Sequence, residues 1–414
     1  WIARTAAVGT QDDDANGTDA VADESTIATT CDDGRIILDN GLLRAIIAPD
    51  GTVRSLIDLD NGHELVPDGS GIGHYELLRD EPYEWDAWDI QRDAFLSAEG
   101  IDDSHVERVT ETKRGGATVH VSSTTDGVSI DACITLRAKS KSLEFRTKVD
   151  WRASERFLKV DIPMAIQADR AQYECQYGMV ERPIQKNTRS DEAKYESCTH
   201  RFVRVADAGY AAAVVNASTY GSDVSPIHRN TASGPVRGTM IRLSLLSSPL
   251  YPDPNTDKGV HEFAWNVVAD ASMPAVLDEA NRLNAAVLPA VPAFDPLAQL
   301  NPVDGVMVLD WVKLADDGSG DLILRVYEAV GGEAHARLAV NAALGKATVR
   351  ECSIMEDARL DAELPAAFAD GDPSVARTAQ GAMLSLHPFQ LATLRVSCGS
   401  DGGNTDGNES GSLR

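Results

Sequence analysis

The stretch Ser142–Ala153, SLEFRTKVDWRA, has the clearest structural pattern in the chain. Leu143, Phe145, Thr147, Val149 and Trp151 alternate with Glu144, Arg146, Lys148, Asp150 and Arg152. Successive side chains of a β-strand point to opposite faces, so this alternation predicts a strand with one face in the core and the other in water. Its β-branched and aromatic residues also favour a strand.

The same period of two recurs elsewhere, at Leu158–Ile162, Ile241–Leu245, Phe263–Val267 and Leu322–Val326. Asp-Gly and Asn-Gly turns separate such runs, and Asp50-Gly51 lies between LLRAIIAP and TVRSLIDL as a tight hairpin would. Consecutive strands joined by short turns predict a mainly β fold. We expect a large antiparallel β-sandwich followed by a smaller β-sandwich, with most acidic residues on solvated strand faces.

One segment has a helical period instead. Its apolar positions are Val276, Ala280, Leu283 and Val287. They predict one short amphipathic helix over Pro274–Val287, with Ser272 as its N-cap. The predicted organisation is a flexible linker (1–30), the large sandwich (31–298), the smaller sandwich (299–398) and a disordered tail (399–414).

Charge and composition limit the function. The 414 residues include 38 Lys and Arg against 64 Asp and Glu, a formal net charge of -26. Nucleic acid and membrane are therefore not expected partners, because phosphate needs a basic surface and a membrane span needs about 20 apolar residues. The six cysteines form no Cys-x-x-Cys pair. This spacing predicts reduced, mostly buried thiols and a cytoplasmic location.

The start of the sequence and its motifs also carry information. Residue 1 is Trp and no signal peptide follows, which indicates a segment of a longer protein. The sequence contains no GxSxG, HExxH, Walker A or GxGxxG motif. Two polar clusters remain as candidate sites.

The first cluster, residues 80–90 (DEPYEWDAWDI), is called the tryptophan loop below. Carboxylates accept hydrogen bonds from sugar hydroxyls, and the C–H face of a pyranose stacks on indole rings. Trp85, Asp86 and Asp89 are therefore candidate carbohydrate-binding residues. The alternative is that Trp85 and Trp88 belong to the core and the acids are solvated.

The second cluster lies within residues 248–263, SPLYPDPNTDKGVHEF, and its residues 251–261 are called the proline loop below. Prolines stiffen this segment, and a pre-organised polar loop between strands is a common way to present a binding site. Its candidates are Asp253, Asp257, Lys258 and His261. The alternative is a rigid polar connector with an Asp side-chain cap, before a strand that begins at Phe263.

Several segments together resemble the C-terminal β region of glycoside hydrolase family 38, the α-mannosidases. The similar stretches follow the family's order: NGLLRAIIAPDGTVRSLIDLDNGHELV (40–66), DEPYEWDAWDI (80–90), YECQYGMVERPIQKNTRSDEAKYESCTHRFVRV (173–205), SSPLYPDPNTDKGVHEFAWNVV (247–268), RVYEAVGG (325–332) and LHPFQLATLRV (386–396). The sequence departs from the family's pattern at Gln185, Ser247 and Gln390. These departures weaken the assignment of the family's residue roles to single positions of this sequence more than they weaken the resemblance itself.

The resemblance implies the C-terminal β portion of a retaining α-mannosidase that removes terminal α-linked mannose from oligosaccharides. It places the nucleophile, the acid/base and a zinc or other divalent metal in an N-terminal β/α barrel, which would be a partner of this region. The family's metal motif is a His-x-Asp pair, which this sequence lacks. No catalytic residue, metal ligand or cofactor is therefore expected in this chain, and the chain alone is predicted to be inactive.

In the family the loops of this region close over the barrel, which implies substrate-binding roles for Trp85, Asp86, Asp89, Asp253, Asp257, Lys258 and His261. The competing hypothesis is a stand-alone, non-catalytic carbohydrate-binding β-sandwich module. The expected ligand in both cases is a mannose-containing oligosaccharide. The oligomeric state is left open, a homo-oligomer included.

Overall fold

The computed structural model describes residues 26–112, 114–232, 234–285, 296–341, 346–357, 377–378 and 382–399. The described residues fall into two compact units, residues 26–285 and residues 296–399. The predicted tail lies outside the described residues apart from Gly399, and so does the predicted linker up to residue 25. None of the described helices is long and apolar enough to cross a membrane.

The first unit is built mainly from strands. Its described elements are β1 (Ile27–Thr30), β2 (Ile36–Asp39), β3 (Leu43–Ile47), β4 (Val53–Asp58), β5 (His63–Glu64), β6 (His74–Arg79), α1 (Arg92–Leu96), β7 (Glu99–Gly100), β8 (Ser104–Glu111), β9 (Ala117–Thr125), β10 (Val128–Leu136), β11 (Ser142–Trp151), β12 (Arg156–Met164), β13 (Arg170–Cys175), β14 (Gly178–Pro183), α2 (Arg189–Glu192), β15 (Ser197–Cys198), β16 (Phe202–Ala206), β17 (Ala211–Asn216), β18 (Gly221–Thr231), β19 (Gly234–Ser247), β20 (Gly259–Val268) and α3 (Met273–Asn284).

Three antiparallel sheets organise this unit within its described residues. The largest has nine strands in the order β14-β13-β16-β17-β20-β11-β10-β9-β8, the second has six in the order β15-β18-β19-β12-β6-β7, and β1 to β5 form the third in chain order. All three contribute side chains to one apolar core. The prediction of a mainly β fold with antiparallel sheets is confirmed.

The quoted stretch Ser142–Ala153 supplies β11, at the centre of the nine-stranded sheet. Phe145 and Trp151 are buried, and the ring of Phe145 stacks on Trp265 of β20 with ring centroids 5.4 Å apart. The opposite face of β11 is not all solvated, because Glu144 is buried against α3, where Arg282 lies 2.7 Å from it. A second layer thus covers part of the face that the alternation assigned to water.

The hairpin and the helix form where they were predicted, with shifted ends. Asp50 and Gly51 join β3 to β4. Gly51 has a positive φ, which favours glycine, and an added Cβ would also lie 2.2 Å from Val121. The helix begins at Met273 rather than Pro274, and Ser272 accepts a hydrogen bond from the amide of Ala275. It ends at Asn284; Val287 lies outside the described residues.

One boundary of the predicted linker is wrong. Residues 27–30, which were assigned to a flexible segment, form β1 and pair with β2. Just before β1, the Thr26 hydroxyl donates to the carbonyl oxygen of Leu136. Four residues are too few for an alternation to be recognised, and the strand depends on backbone hydrogen bonds to its neighbour.

The second unit has its own core. Its described strands are β21 (Ala298–Asp304), β22 (Met307–Leu314), β23 (Leu322–Glu328), β24 (Ala334–Val340), β25 (Lys346–Cys352), β26 (Arg377–Thr378), β27 (Ala382–Leu386) and β28 (Leu391–Gly399). They form sheets in the orders β21-β24-β27 and β22-β23-β28-β25-β26. The predicted strand around Leu322–Val326 is β23.

The cysteine prediction is partly wrong. Cys31, Cys133, Cys175, Cys198 and Cys352 are free thiols. Of these, Cys352 alone is buried and Cys198 is exposed. Burial raises the pKa of the Cys352 thiol to about 11, which keeps it protonated near neutral pH.

Candidate functional site

The tryptophan loop begins where β6 ends. The carbonyl oxygen of Trp85 accepts hydrogen bonds from the amides of Trp88 (2.7 Å) and Asp89 (2.9 Å), which closes a single tight turn. Trp85 has a φ of 61°, a left-handed conformation that bulky residues rarely adopt. Trp85 and Trp88 are each 68% exposed, so they do not belong to the core.

The proline loop follows β19 and holds its shape through its own backbone. The carbonyl oxygen of Asp253 accepts from the amide (3.0 Å) and the hydroxyl (2.7 Å) of Thr256, and its carboxylate accepts from the amide of Asn255. Asp257 has a φ of 58°. Strand β20 begins at Gly259 rather than at Phe263, so His261 lies on a strand and not in a loop.

Asp86 connects the two loops. Its Oδ2 accepts hydrogen bonds from the amides of Leu250 and Tyr251, both at 2.8 Å. Hydrogen bonds from amides to an ionised carboxylate are stronger than those between neutral groups. A single side chain therefore fixes the tryptophan loop against the start of the proline loop, although 164 residues separate Asp86 from Leu250 in sequence.

The remaining predicted residues have local partners or are exposed. The Nε2 of His261 lies 2.7 Å from the carbonyl oxygen of Asp257. A carbonyl can only accept, so Nε2 carries the proton. Asp89 accepts from the amide of Ile90, and the Lys258 side chain is exposed. Among the described residues, no hydrogen bond or ion pair joins Asp86 or Asp89 to Asp257, Lys258 or His261.

Two further aromatic side chains, not selected from the sequence, extend the exposed surface. Tyr83 in the tryptophan loop is 84% exposed and Tyr251 in the proline loop is 68% exposed. Both lie within the two quoted segments. The available signal was an aromatic residue near loop tryptophans for Tyr83, and an aromatic residue beside loop prolines for Tyr251. Stacking surfaces are therefore present on both loops.

Asp80 is the first residue of the tryptophan loop and attaches the loop to the end of β19. It is buried, and its carboxylate accepts a hydrogen bond from the hydroxyl of Ser247 at the end of β19. Burial raises the pKa of Asp80 above its usual range; the Ser247 hydrogen bond opposes this, and the negative charges of Asp86 and Glu196 add to it. The loop thus begins at a carboxyl group whose ionisation is disfavoured.

Helix α1 continues from the tryptophan loop and covers charged side chains of the six-stranded sheet. The Nζ of Lys159 lies 5.3 Å from the ring centroid of Phe95, and the Cζ of Arg242 lies 5.6 Å from it. The ring of Phe95 also stacks on Tyr195. An aromatic side chain over two cations lowers the cost of removing them from water.

Those cations belong to a group that we call the ionic cluster: Glu76, Lys159, Asp161, Glu196, Asp223 and Arg242. Lys159 is fully buried, and its Nζ donates to Glu196 (2.5 Å), Asp223 (2.8 Å) and Ser244 (2.8 Å). Arg242 donates to Asp223 and, at 3.2 Å, to Glu76. The expectation that the acids of these strands are solvated is wrong here, because a layer formed by α1 and the segment around Tyr195 covers this face.

Opposing effects set the ionisation of the cluster. Burial alone would raise the pKa of Asp223, but Lys159 and Arg242 hold it below its ordinary value. For Glu76, burial and the charge of Asp161 outweigh Arg242 and raise the pKa. Its neighbour His74 has a raised pKa because of its hydrogen-bonding contact with Asp161, against the effect of burial.

A cavity of about 180 Å³ opens beside the cluster. Its lining includes Tyr173, Arg182, Lys186, Tyr195 and Asp223. Burial lowers the pKa of Lys186, whose Nζ donates to the carbonyl oxygen of Lys194 at 2.6 Å. The lining mixes both charges, so it does not select a ligand of one sign.

Both units match C-terminal domains of the same protein family. Residues 38–255 match the glycosyl hydrolases family 38 C-terminal domain, and residues 307–394 match the family 38 C-terminal beta sandwich domain. Mouse "Alpha-mannosidase 2C1" is 29% identical over 348 residues, which cover 78% of this chain and 31% of that protein. "Alpha-mannosidase" of Saccharomyces cerevisiae is 26% identical over 405 residues, which cover 90% of this chain and 36% of that one. The chain thus spans about a third of the length of these relatives.

Solved structures share the fold. An alpha-mannosidase from Enterococcus faecalis V583 superposes with a TM-score of 0.61 at 14% identity, over 87% of this chain and 42% of that one. A family 38 glycosyl hydrolase protein from Enterococcus faecalis gives a TM-score of 0.64 at 14% identity, over 92% and 45%. At this identity the likeness concerns the fold alone.

Proposed function

The chain belongs to glycosyl hydrolase family 38, as a region with that family's C-terminal domains, and from this premise we propose that it is the C-terminal β portion of a retaining α-mannosidase. The substrate class is an oligosaccharide with terminal α-linked mannose. The names and alignments of the mouse and yeast relatives support the proposal. We also propose a cytoplasmic location, which the free thiols support.

In the proposed reaction one carboxylate attacks the anomeric carbon while a second carboxyl group gives its proton to the leaving oxygen. Water, deprotonated by that second group, then displaces the enzyme carboxylate and releases mannose. We assign both carboxylates and the zinc or other divalent metal to an N-terminal barrel of the same protein. This sequence has no His-x-Asp pair for that metal, so we derive no step through it.

The role proposed for this chain is to support that barrel and close one edge of the substrate cleft with the tryptophan loop and the proline loop. The observation that carries it is the pair of hydrogen bonds from Leu250 and Tyr251 to Asp86. They hold exposed indole and phenol rings beside carboxylates, an arrangement that suits a pyranose. Fixed loops also spare the complex the cost of ordering them on binding.

The test uses the full-length protein with a chromogenic α-mannoside. Asp86→Ala removes the acceptor that joins the loops, and we expect kcat/KM to fall about 10- to 100-fold because the loops lose their relative position. Asp131→Ala is the matched control, since Asp131 is an exposed aspartate on β10 outside both loops. Equal kcat/KM for the two variants would place the loops away from the cleft.

The exposed aromatic rings favour a second candidate, a stand-alone carbohydrate-binding module. Titration of mannose and a manno-oligosaccharide into this 414-residue chain separates the two. Saturable binding that Trp88→Ala removes supports the module, whereas no binding supports loops that act only when docked on the barrel. Turnover of the α-mannoside by this chain alone would overturn the prediction that it is inactive.

A further inference from the structure

We propose that His74, Glu76 and Asp161 form a binding site for one divalent transition-metal ion, with Zn²⁺ as the best fit. The site lies on the face of the six-stranded sheet that carries the ionic cluster. It goes beyond the proposed function and does not rest on it. No metal ligand was expected from the sequence, because these three residues form no linear metal-binding motif and are brought together by the pairing of β6 with β12.

Strand pairing brings the three side chains together. β6 pairs with β12 so that His74 is directly opposite Asp161, and Glu76 follows His74 by two residues on the same face. One nitrogen or carboxylate oxygen from each residue lies within 4.8 Å of the others. The Nδ1 of His74 is 3.6 Å from Asp161 Oδ2. Zinc bonds of about 2.0–2.1 Å place tetrahedral ligand atoms about 3.4 Å apart, close to this separation.

An unused acceptor points to a missing ligand. Asp161 is 8% exposed, and its Oδ1 has no hydrogen-bond donor among the residues that the structure describes. Leaving a buried carboxylate oxygen without a partner costs more than most lost hydrogen bonds. The cations nearby are engaged elsewhere: the three donors of Lys159 meet three acceptors, and Arg242 donates to Asp223 and Glu76.

The charges of the ionic cluster leave room for a divalent cation. The cluster contains four carboxyl groups (Glu76, Asp161, Glu196 and Asp223) and two basic side chains (Lys159 and Arg242), so acidic groups outnumber basic ones. Buried charges persist when they are paired or coordinate a metal. A divalent cation bound beside Asp161 would pair with a carboxylate to which, in the described part of the chain, neither of the two basic side chains donates a hydrogen bond.

The imidazole of His74 is held in a suitable orientation. Its ring packs against Gly100, where an added Cβ would lie 2.6 Å from His74 Cε1. Nδ1 faces Asp161, while Nε2 lies 3.9 Å from the exposed carboxylate of Asp102. One imidazole nitrogen and two carboxylate oxygens suit Zn²⁺ better than Ca²⁺ or Mg²⁺, which prefer oxygen alone.

The experiment titrates ZnCl₂ into the metal-free 414-residue chain by calorimetry. We expect one site whose affinity falls at least 10-fold in Asp161→Asn and in His74→Gln, because each change removes a ligand. The matched control is Asp304→Asn, which alters another histidine–aspartate pair: Asp304 Oδ1 lies 2.7 Å from His335 Nδ1 in the second unit, and this pair is outside the group described above. The control is expected to keep the site.

Thermal unfolding with and without Zn²⁺ gives a second readout. The ion should raise the midpoint of the unchanged chain and of Asp304→Asn, and leave both ligand variants unaffected. Circular dichroism shows whether the variants are folded. If one ligand variant does not fold, the comparison is made with the other ligand variant. Absence of Zn²⁺ binding by the unchanged chain would overturn the proposal, and so would ligand variants that bind Zn²⁺ as tightly as the unchanged chain does. Binding of Ca²⁺ or Mg²⁺ in place of Zn²⁺ would overturn the choice of a transition metal.

Discussion

The paired loops and the ionic cluster use the same residue types in opposite ways. In the tryptophan and proline loops, carboxylates accept from nearby backbone amides and large aromatic rings lie in solvent. In the ionic cluster, carboxylates are buried against Lys159 and Arg242 beneath Phe95. We infer that changes in the loops should alter ligand or domain binding, whereas changes at Lys159 and Arg242 in the cluster should alter stability.

The largest expected effect is that of Lys159→Met. This change leaves Asp223 and Glu196 without their shared cation in a buried setting, and the loss of one partner of such a pair costs about 3–5 kcal/mol. Urea unfolding of the chain measures it as a lower midpoint. Methionine is chosen because it retains most of the length of the lysine stem.

The matched control for this change is Lys148→Met. Lys148 lies on β11 with its side chain exposed, so we expect its replacement to change the unfolding free energy by less than about 0.5 kcal/mol. Similar losses in the two variants would contradict the distinction between the cluster and the solvated strand faces.

Much of the fold was predictable because alternation is a local signal. Residues 142–153 identified β11 and its buried ring, Phe145, and Asp50-Gly51 identified the hairpin between β3 and β4. Strand β1 was missed because it is four residues long. The order of strands within the sheets depends on pairings between distant segments, for which a single sequence gives no comparable signal.

The candidate site was predictable in part for the same reason. The tryptophan and proline loops are short local concentrations of unusual residues, so they could be found, but the contact between Asp86 and Leu250 could not. Lys159 and Asp161 looked like the solvated half of an alternating strand. The covering of Lys159 involves Phe95 of α1, which stacks on Tyr195, and these two residues come from separate parts of the sequence.

A smaller effect than that of Lys159→Met is expected where the two regions meet, at Asp80. Burial raises the folded-state pKa of Asp80 above its ordinary value of 3.8, so ionisation of Asp80 destabilises the fold increasingly as the pH rises from 3.8 through the folded-state pKa. Asp80→Asn keeps an oxygen for the Ser247 hydroxyl and removes the charge. We therefore expect the variant to be more stable than the unchanged chain at pH 7.

This gain should vanish at low pH, where Asp80 is protonated and resembles the asparagine. Paired urea titrations near pH 7 and pH 3 measure the difference between the two proteins, in which the titration of groups that do not interact with Asp80 cancels. A gain that is the same at both pH values would show that the charge of Asp80 is not its source.

The smallest expected effect on stability is that of Trp88→Ala. Trp88 is 68% exposed, and its side chain contributes little to the core, so we expect a change in unfolding free energy within about 0.5 kcal/mol. The same replacement at Trp265, which is 1% exposed and stacked on Phe145, should cost about 3–5 kcal/mol. Urea unfolding of both variants measures the contrast. A large loss in Trp88→Ala would mean that the tryptophan loop stabilises the sheet beneath it, and its exposed rings would then need no ligand or partner to explain them.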